Sequence, residues 1–171
     1  MAAYNLIATT TVGSGGAASM DFTSIPATYT DLLVVVSHRV DRANTISDSK
    51  IQFNADTASN YTSLRLYGSG SAVATDQLST TAGYWGYSSG ATATASVFSN
   101  TQIYIPNYAG STQKSVSVDS VQENNTSAAY SHINAIRYTG TAAITSIKLF
   151  DGNATNFVQY SSASLYGIKN S

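Results

Sequence analysis

His38 and His132 are the only imidazoles in a chain of 171 residues, and no cysteine accompanies them. A thiolate zinc site, a disulfide and a cysteine nucleophile are therefore excluded together. A metal site would have to join a histidine to carboxylates, for example His38 to Asp31 or Asp41. A strand histidine hydrogen-bonded to its neighbours explains the same residue without an ion, and no metal is assigned. Asp41, Asp48 and Asp56 flank turns, and Asp151-Gly152-Asn153 has the oxygen-rich look of part of a calcium loop, but the spacing of a full loop is missing. Local side-chain hydrogen bonding of Asp and Asn in turns accounts for them. Glu123 is the single glutamate, so paired-carboxylate hydrolysis would rest on aspartates alone. Serines are so numerous that a Ser-His-Asp triad can be drawn in many ways, and the expectation is that no strained nucleophile turn of the G-x-S-x-G kind occurs. The glycines near positions 13 and 68 lead into neither a helix nor a Lys-Ser/Thr pair, which leaves phosphate cradling unsupported. No catalytic residue and no cofactor is assigned, and the chain reads as a non-enzyme.

The aromatic group Tyr84, Trp85 and Tyr87 is the candidate contact surface. It lies in a stretch, residues 68–90, rich in Gly, Ser, Thr and Ala that reads as a loop. Rings carried on a loop can stack on a sugar or anchor a protein interface, because they bury much area at low entropic cost. The plainer alternative is that they cap the edge of the domain's own core. Matches to the N-glycosylation pattern at Asn60, Asn124, Asn125 and Asn153 are what a chain this rich in Asn, Ser and Thr produces by chance.

Composition narrows the partners. Only 10% of the residues are charged, against roughly 25% in an average soluble domain. With a net charge of −1 there is no field for counterion-release binding of nucleic acid. The longest apolar run, residues 32–36, falls far short of the roughly 20 residues that span a bilayer as a helix. Residues 1–7 lack the basic and apolar pattern of a secretion signal, so the expectation is a protein made in the cytosol.

The elements that must position these residues are strands. β-branched and aromatic content, two prolines and many Gly/Ser clusters point to short strands and turns. Residues 4–12 read as a first strand with 18–22 as its short partner. The run Leu32-Leu33-Val34-Val35-Val36 reads as a central strand covered on both faces. Ile51 and Phe53 alternate with Lys50, Gln52 and Asn54, and Leu64 and Leu66 repeat the pattern against Arg65 and Tyr67, giving two half-buried strands. Strand character returns at 94–98 and 102–105, and Val116 and Val118 alternate with serines and Asp119. In 130–138, His132, Asn134 and Ile136 share one face and Ile133, Ala135 and Arg137 the other, with the inward face left open. Residues 157–168 close the chain as a strand pair or bulged strand. Nine or ten strands at this spacing predict one all-β domain over 1–171, an antiparallel two-sheet sandwich of jelly-roll-like topology.

Several of these segments together resemble small β-sandwich modules of tailed-bacteriophage virion proteins, found in capsid decoration, fibre and tail proteins. The resemblance rests on Tyr-Thr-Asp-Leu-Leu-Val-Val-Val-Ser-His-Arg at 29–39, Ile-Gln-Phe-Asn-Ala-Asp-Thr-Ala-Ser-Asn-Tyr at 51–61, Ile-Pro-Asn-Tyr at 105–108 and the end of 157–168, Ser-Leu-Tyr-Gly-Ile. The second segment is the most specific, a strand ending in Phe-Asn-x-Asp-Thr and resuming after Asn-Tyr. Where relatives place a glycine before the final strand, this chain has Gln159 and Tyr160. The resemblance implies a virion setting and names no catalytic residue. Because the module stands without a shaft, it implies a decoration or cement protein bound to the major capsid protein, or otherwise a tail or head fibre module that binds a receptor or glycan. The implied partners are other virion proteins and further copies of the chain, such as a trimer, with no nucleic acid or membrane.

Overall fold

The computed structural model describes residues 3–123, 125 and 129–169. Among them there is no helix, and twelve strands follow in order: β1 (Ala3–Thr11), β2 (Ser19–Phe22), β3 (Asp31–His38), β4 (Ile46–Phe53), β5 (Tyr61–Gly68), β6 (Val73–Thr80), β7 (Gly83–Ser89), β8 (Ser99–Ile105), β9 (Lys114–Glu123), β10 (Ala129–Tyr138), β11 (Ile147–Asp151) and β12 (Ser162–Lys169). They form an eight-stranded sheet, β1-β12-β3-β8-β9-β10-β5-β6, and a four-stranded sheet, β2-β11-β4-β7, in which neighbouring strands are antiparallel.

Eight of these strands make a jelly roll. The sets β1-β12-β3-β8 and β2-β11-β4-β7 are its two layers, and the chain crosses between layers from β1 through β4, from β7 to β8, and from β11 to β12. Two hairpins are inserted into this frame. β5-β6 lies between β4 and β7 in sequence, β9-β10 between β8 and β11, and both extend the larger sheet beyond β8. The all-β antiparallel sandwich expected from the sequence is thus present, with twelve strands rather than nine or ten. The difference lies in residues 68–90, read as loop, where β6 and β7 form.

Alternation builds the core. Val116, Val118, Ser120 and Gln122 of β9 face inward between the outward Ser115, Ser117, Asp119 and Val121, and Leu32, Val34 and Val36 of β3 face inward on either side of Leu33 and Val35. Their apolar side chains meet Ile51, Phe53, Trp85, Leu149 and Phe157 from the opposite layer and its loops.

Three further expectations are corrected. Residues 18–22 do not pair with the first strand; β2 crosses to the other layer and pairs with β11, as the jelly-roll crossing requires. Residues 94–98 are not a strand, because the buried Arg39 guanidinium gathers the carbonyls of Ala91, Ala93, Thr94 and Val97 around itself. A strand would alternate those carbonyls between its two edges. The run at 32–36 is covered on one face only: Leu33 and Val35 are half-buried on the outer side of the large sheet. The turn at Asn124 lies outside the described residues, as do parts of the glycosylation matches at 124–127.

Candidate interaction surface

The outer face of the eight-stranded sheet is built by register. One row crosses every strand in the sequence Leu6, Tyr166, Leu33, Tyr104, Ser117, Ala135, Leu64, Gln77. The next row runs Ser164, Val35, Gln102, Asp119, Ile133, Leu66, Thr75 from β12 to β6, and a third runs Thr11, Ser162, Ser37, Asn100, Val121, Ser131, Gly68, Val73. Asp119 is the one charged residue in the three rows. Ile133 is 65% exposed and Leu64 52%, each directly beside an apolar cross-strand neighbour, Leu66 and Ala135. Between β3 and β10 the surface dips into a depression of about 270 Å³ lined by Leu33, Gln102, Tyr104, Asp119 and Ile133 among others. Strands about 4.8 Å apart and residues about 3.3 Å apart make a face of roughly 34 by 20 Å, close to the ~800 Å² that one partner gives to a standard interface.

β5 explains why this face is apolar. The alternation of Leu64 and Leu66 with Arg65 and Tyr67 suggests leucines inward, and the structure inverts it: Arg65 is buried, and the leucines face solvent. Arg65 is held inside by an ion pair with Asp76 of β6 and by the Tyr84 ring, 4.1 Å from its guanidinium carbon. On β10 the same inner face carries Tyr130, His132, Asn134 and Ile136, which leaves Ile133 and Ala135 outside. Composition hides this inversion. The hint within the sequence is that Arg65-x-Tyr67 and Tyr130-x-His132-x-Asn134 repeat polar and aromatic types at a period of two, a pattern able to pack against itself.

Tyr84, Trp85 and Tyr87 do not form the exposed group expected of a loop. Trp85 is wholly buried, edge-on to the His38 ring at 4.6 Å. Tyr84 is buried and donates its hydroxyl to Asp48. Tyr87 is half-buried and stands perpendicular to His132 at 4.7 Å. A bulge causes this arrangement: the β4–β7 register shifts so that Trp85 is the extra residue beside Gly86. Gly86 has φ +131°, and a Cβ there would lie 2.6 Å from the Ser120 hydroxyl, so glycine is required. The rings therefore cap and fill the molecule's own core, and burial of Trp85 removes the stacking surface on which a glycan contact would rest.

The residues with chemical potential are drawn into structural networks. The expectation that no G-x-S-x-G segment occurs is corrected: Gly86-Tyr87-Ser88-Ser89-Gly90 matches the pattern, and Ser88 Oγ lies 2.9 Å from His38 Nδ1. Three features disqualify it as a nucleophile site. Ser88 and His38 are both fully buried, the serine lies inside β7 instead of at a strand-to-helix elbow, and the other ring nitrogen meets the Thr101 hydroxyl, not a carboxylate. Burial alone holds the His38 pKa down at about 3, too weak a base for neutral pH. Ser49 and Ser120 extend the chain at either end. His132, with a pKa lowered to about 4 by burial and by the Arg65 charge, has no hydrogen-bond partner on either nitrogen among the described residues.

The aspartates behave as turn residues. Asp151 accepts from the Ser47 hydroxyl, the Asn153 and Thr155 backbone and the Thr155 hydroxyl. Asp41 accepts from Asn156. Asp56 accepts from Asn60, Ala58 and Tyr138, and the Asn60 bond is the main reason its carboxyl is held below the usual range. Among the described residues no three His, Asp or Glu side chains converge as a metal site.

No family model, curated protein or solved structure matches this chain. The reading of its function rests on this geometry together with the resemblance of its segments.

Proposed function

We propose that this chain is a structural protein of a bacteriophage virion, a decoration or cement protein that seats the outer face of its large sheet on the major capsid protein. The observation that carries the proposal is that face: interface-sized, studded with Leu64, Leu66 and Ile133, and charged at Asp119 alone across three rows. Monomeric proteins rarely expose apolar groups so contiguously unless something covers them. The jelly-roll strand order, an architecture common in viral capsid domains, supports the setting, as do the segments resembling virion modules.

The chemistry of the contact follows. With almost no charge on the face, association draws on apolar burial and side-chain hydrogen bonds, so it varies little with salt. No step of the account needs a cofactor.

Electron microscopy of particles carrying the chain tests the proposal. Density for the chain on the head, with Leu66 and Ile133 turned toward the capsid lattice, is the expected result. Absence from the head, or a face turned to solvent, contradicts it, and density on a tail or head fibre gives the fibre-module reading instead.

A further inference from the structure

The large sheet has two free edges, and they differ. At one end β1 is interrupted, its register with β12 shifting between Leu6 and Ala8. At the other end β6 pairs with β5 through eight consecutive residues without a shift, and among the described residues no strand lies beyond it. Natural edge strands are normally blunted by lysine, proline, a bulge or a covering segment, because bare backbone donors and acceptors recruit further strands. β6, Val-Ala-Thr-Asp-Gln-Leu-Ser-Thr, has no lysine, proline or bulge. Its single charge, Asp76, is engaged by Arg65 of β5, and Val73 is 75% exposed.

We propose that β6 is the seam of a homodimer, pairing antiparallel with β6 of a second copy about a two-fold axis through Gln77. The register follows from faces and charge. A two-fold perpendicular to the sheet sets residues of like face opposite one another, so the axis passes through a residue position. An axis at Asp76 would oppose two carboxylates. An axis at Gln77 lets the two side-chain amides donate to and accept from each other, sets Asp76 against the partner's Leu78, and sets Thr75 against the partner's Ser79. Axes at Thr75 or Leu78 shorten the overlap of the strands. In the Gln77 register the two outer faces join into one continuous surface, whatever that surface meets.

The absence of cysteine from the chain makes the test direct. Gln77→Cys places its thiol opposite its own copy, where directly opposed strand residues have the Cα separation of a disulfide. Mild oxidation is expected to convert most of this variant to a covalent dimer. Thr75→Cys alone is expected to give little, and the Thr75→Cys/Ser79→Cys double variant is expected to restore the cross-link. By light scattering the wild type should show twice the 17.9 kDa chain mass. Gln77→Lys, which opposes two ammonium groups, should fall to the monomer mass with an unchanged circular dichroism spectrum. A monomeric wild type, a cross-link no stronger at Gln77→Cys than at Thr9→Cys on β1, or a trimer linked β6 to β1 overturns the proposal.

Discussion

His38 and His132 both have fully buried rings, yet their surroundings are opposites. His38, at the end of β3 in the jelly-roll half, has both nitrogens hydrogen-bonded, to Ser88 and Thr101, and so ties the two layers together. His132, on β10 in the inserted half, is stacked on Tyr67 and met edge-on by Tyr87, with neither nitrogen partnered among the described residues. Asn134, two residues along the same face, is also without side-chain partners there. An unpaired buried polar group costs about 1–3 kcal/mol. His38 is therefore matched on both nitrogens, although the neighbouring Trp85 Nε1 has no partner among the described residues, whereas His132 and Asn134 leave four buried polar atoms unpartnered there, at a cost in stability. The inserted half is also the one whose outer side shows Leu64, Leu66 and Ile133, where a bound partner would return stability by mass action.

Acid should act on both histidines and gives the largest effect. Each folded pKa lies below the unfolded value of 6.5, so the unfolded chain takes up protons first as the pH falls. Stability is complete above about pH 6.5 and drains away as the pH drops toward 4 and then 3. The loss is on the order of 4–5 kcal/mol from His38 and about 3 kcal/mol from His132. Asp56 and Asp76, whose carboxyls are held low, add losses of the same sign at the bottom of that window. Urea midpoints measured from pH 7 to pH 3.5 should fall steadily, and a flat profile down to pH 4 would refute the buried, neutral state of both rings.

Trp85→Ala comes next, with an expected loss of about 3–5 kcal/mol for emptying a fully enclosed site. Tyr87→Ala, at a half-buried ring of the same strand, should cost clearly less, and equal losses would show that the two β7 rings are equally enclosed. The sharper comparison exchanges the histidines themselves. His38→Phe removes one hydrogen bond from each of the Ser88 and Thr101 hydroxyls, which keep Ser49 and Ser120, and should cost about 1–3 kcal/mol, whereas His132→Phe loses no hydrogen bond and should be neutral or slightly stabilising. Reversed signs in thermal melts would show that the network around His38 is dispensable.

The sequence made β3 and β4 of the jelly-roll half readable because their apolar residues stand out as a run and as an ordinary alternation. Ile51 and Phe53 point inward as their spacing suggests, and the run at 32–36 is the central β3. The inserted half was not readable by the same rule. On β5 hydrophobicity points the wrong way, since Arg65 gains an ion pair and an aromatic face inside, while the leucines face solvent. On β10 neither face is wholly apolar, so period alone could not choose between His132 and Ile133. The Gly- and Ser-rich composition of 68–90 concealed β6 and β7, whose strands depend on a long ladder and on a bulge at Gly86 instead of on β-branched residues. The buried Ser88–His38 contact joins β7 to β3, and sequence distance kept it out of view.

The smallest effect on stability should accompany the largest effect on contact. Leu66→Glu and Ile133→Glu change exposed positions, so each should shift folding free energy by no more than about 0.5 kcal/mol. The decisive measurement is the number of copies of a Leu66→Glu/Ile133→Glu chain carried per purified particle, read against the wild type, with the urea midpoint as the control for folding. A folded double variant missing from the particle is the predicted result. A double variant that is folded and incorporated at the wild-type copy number would contradict the assignment of the large sheet's outer face as the surface of attachment.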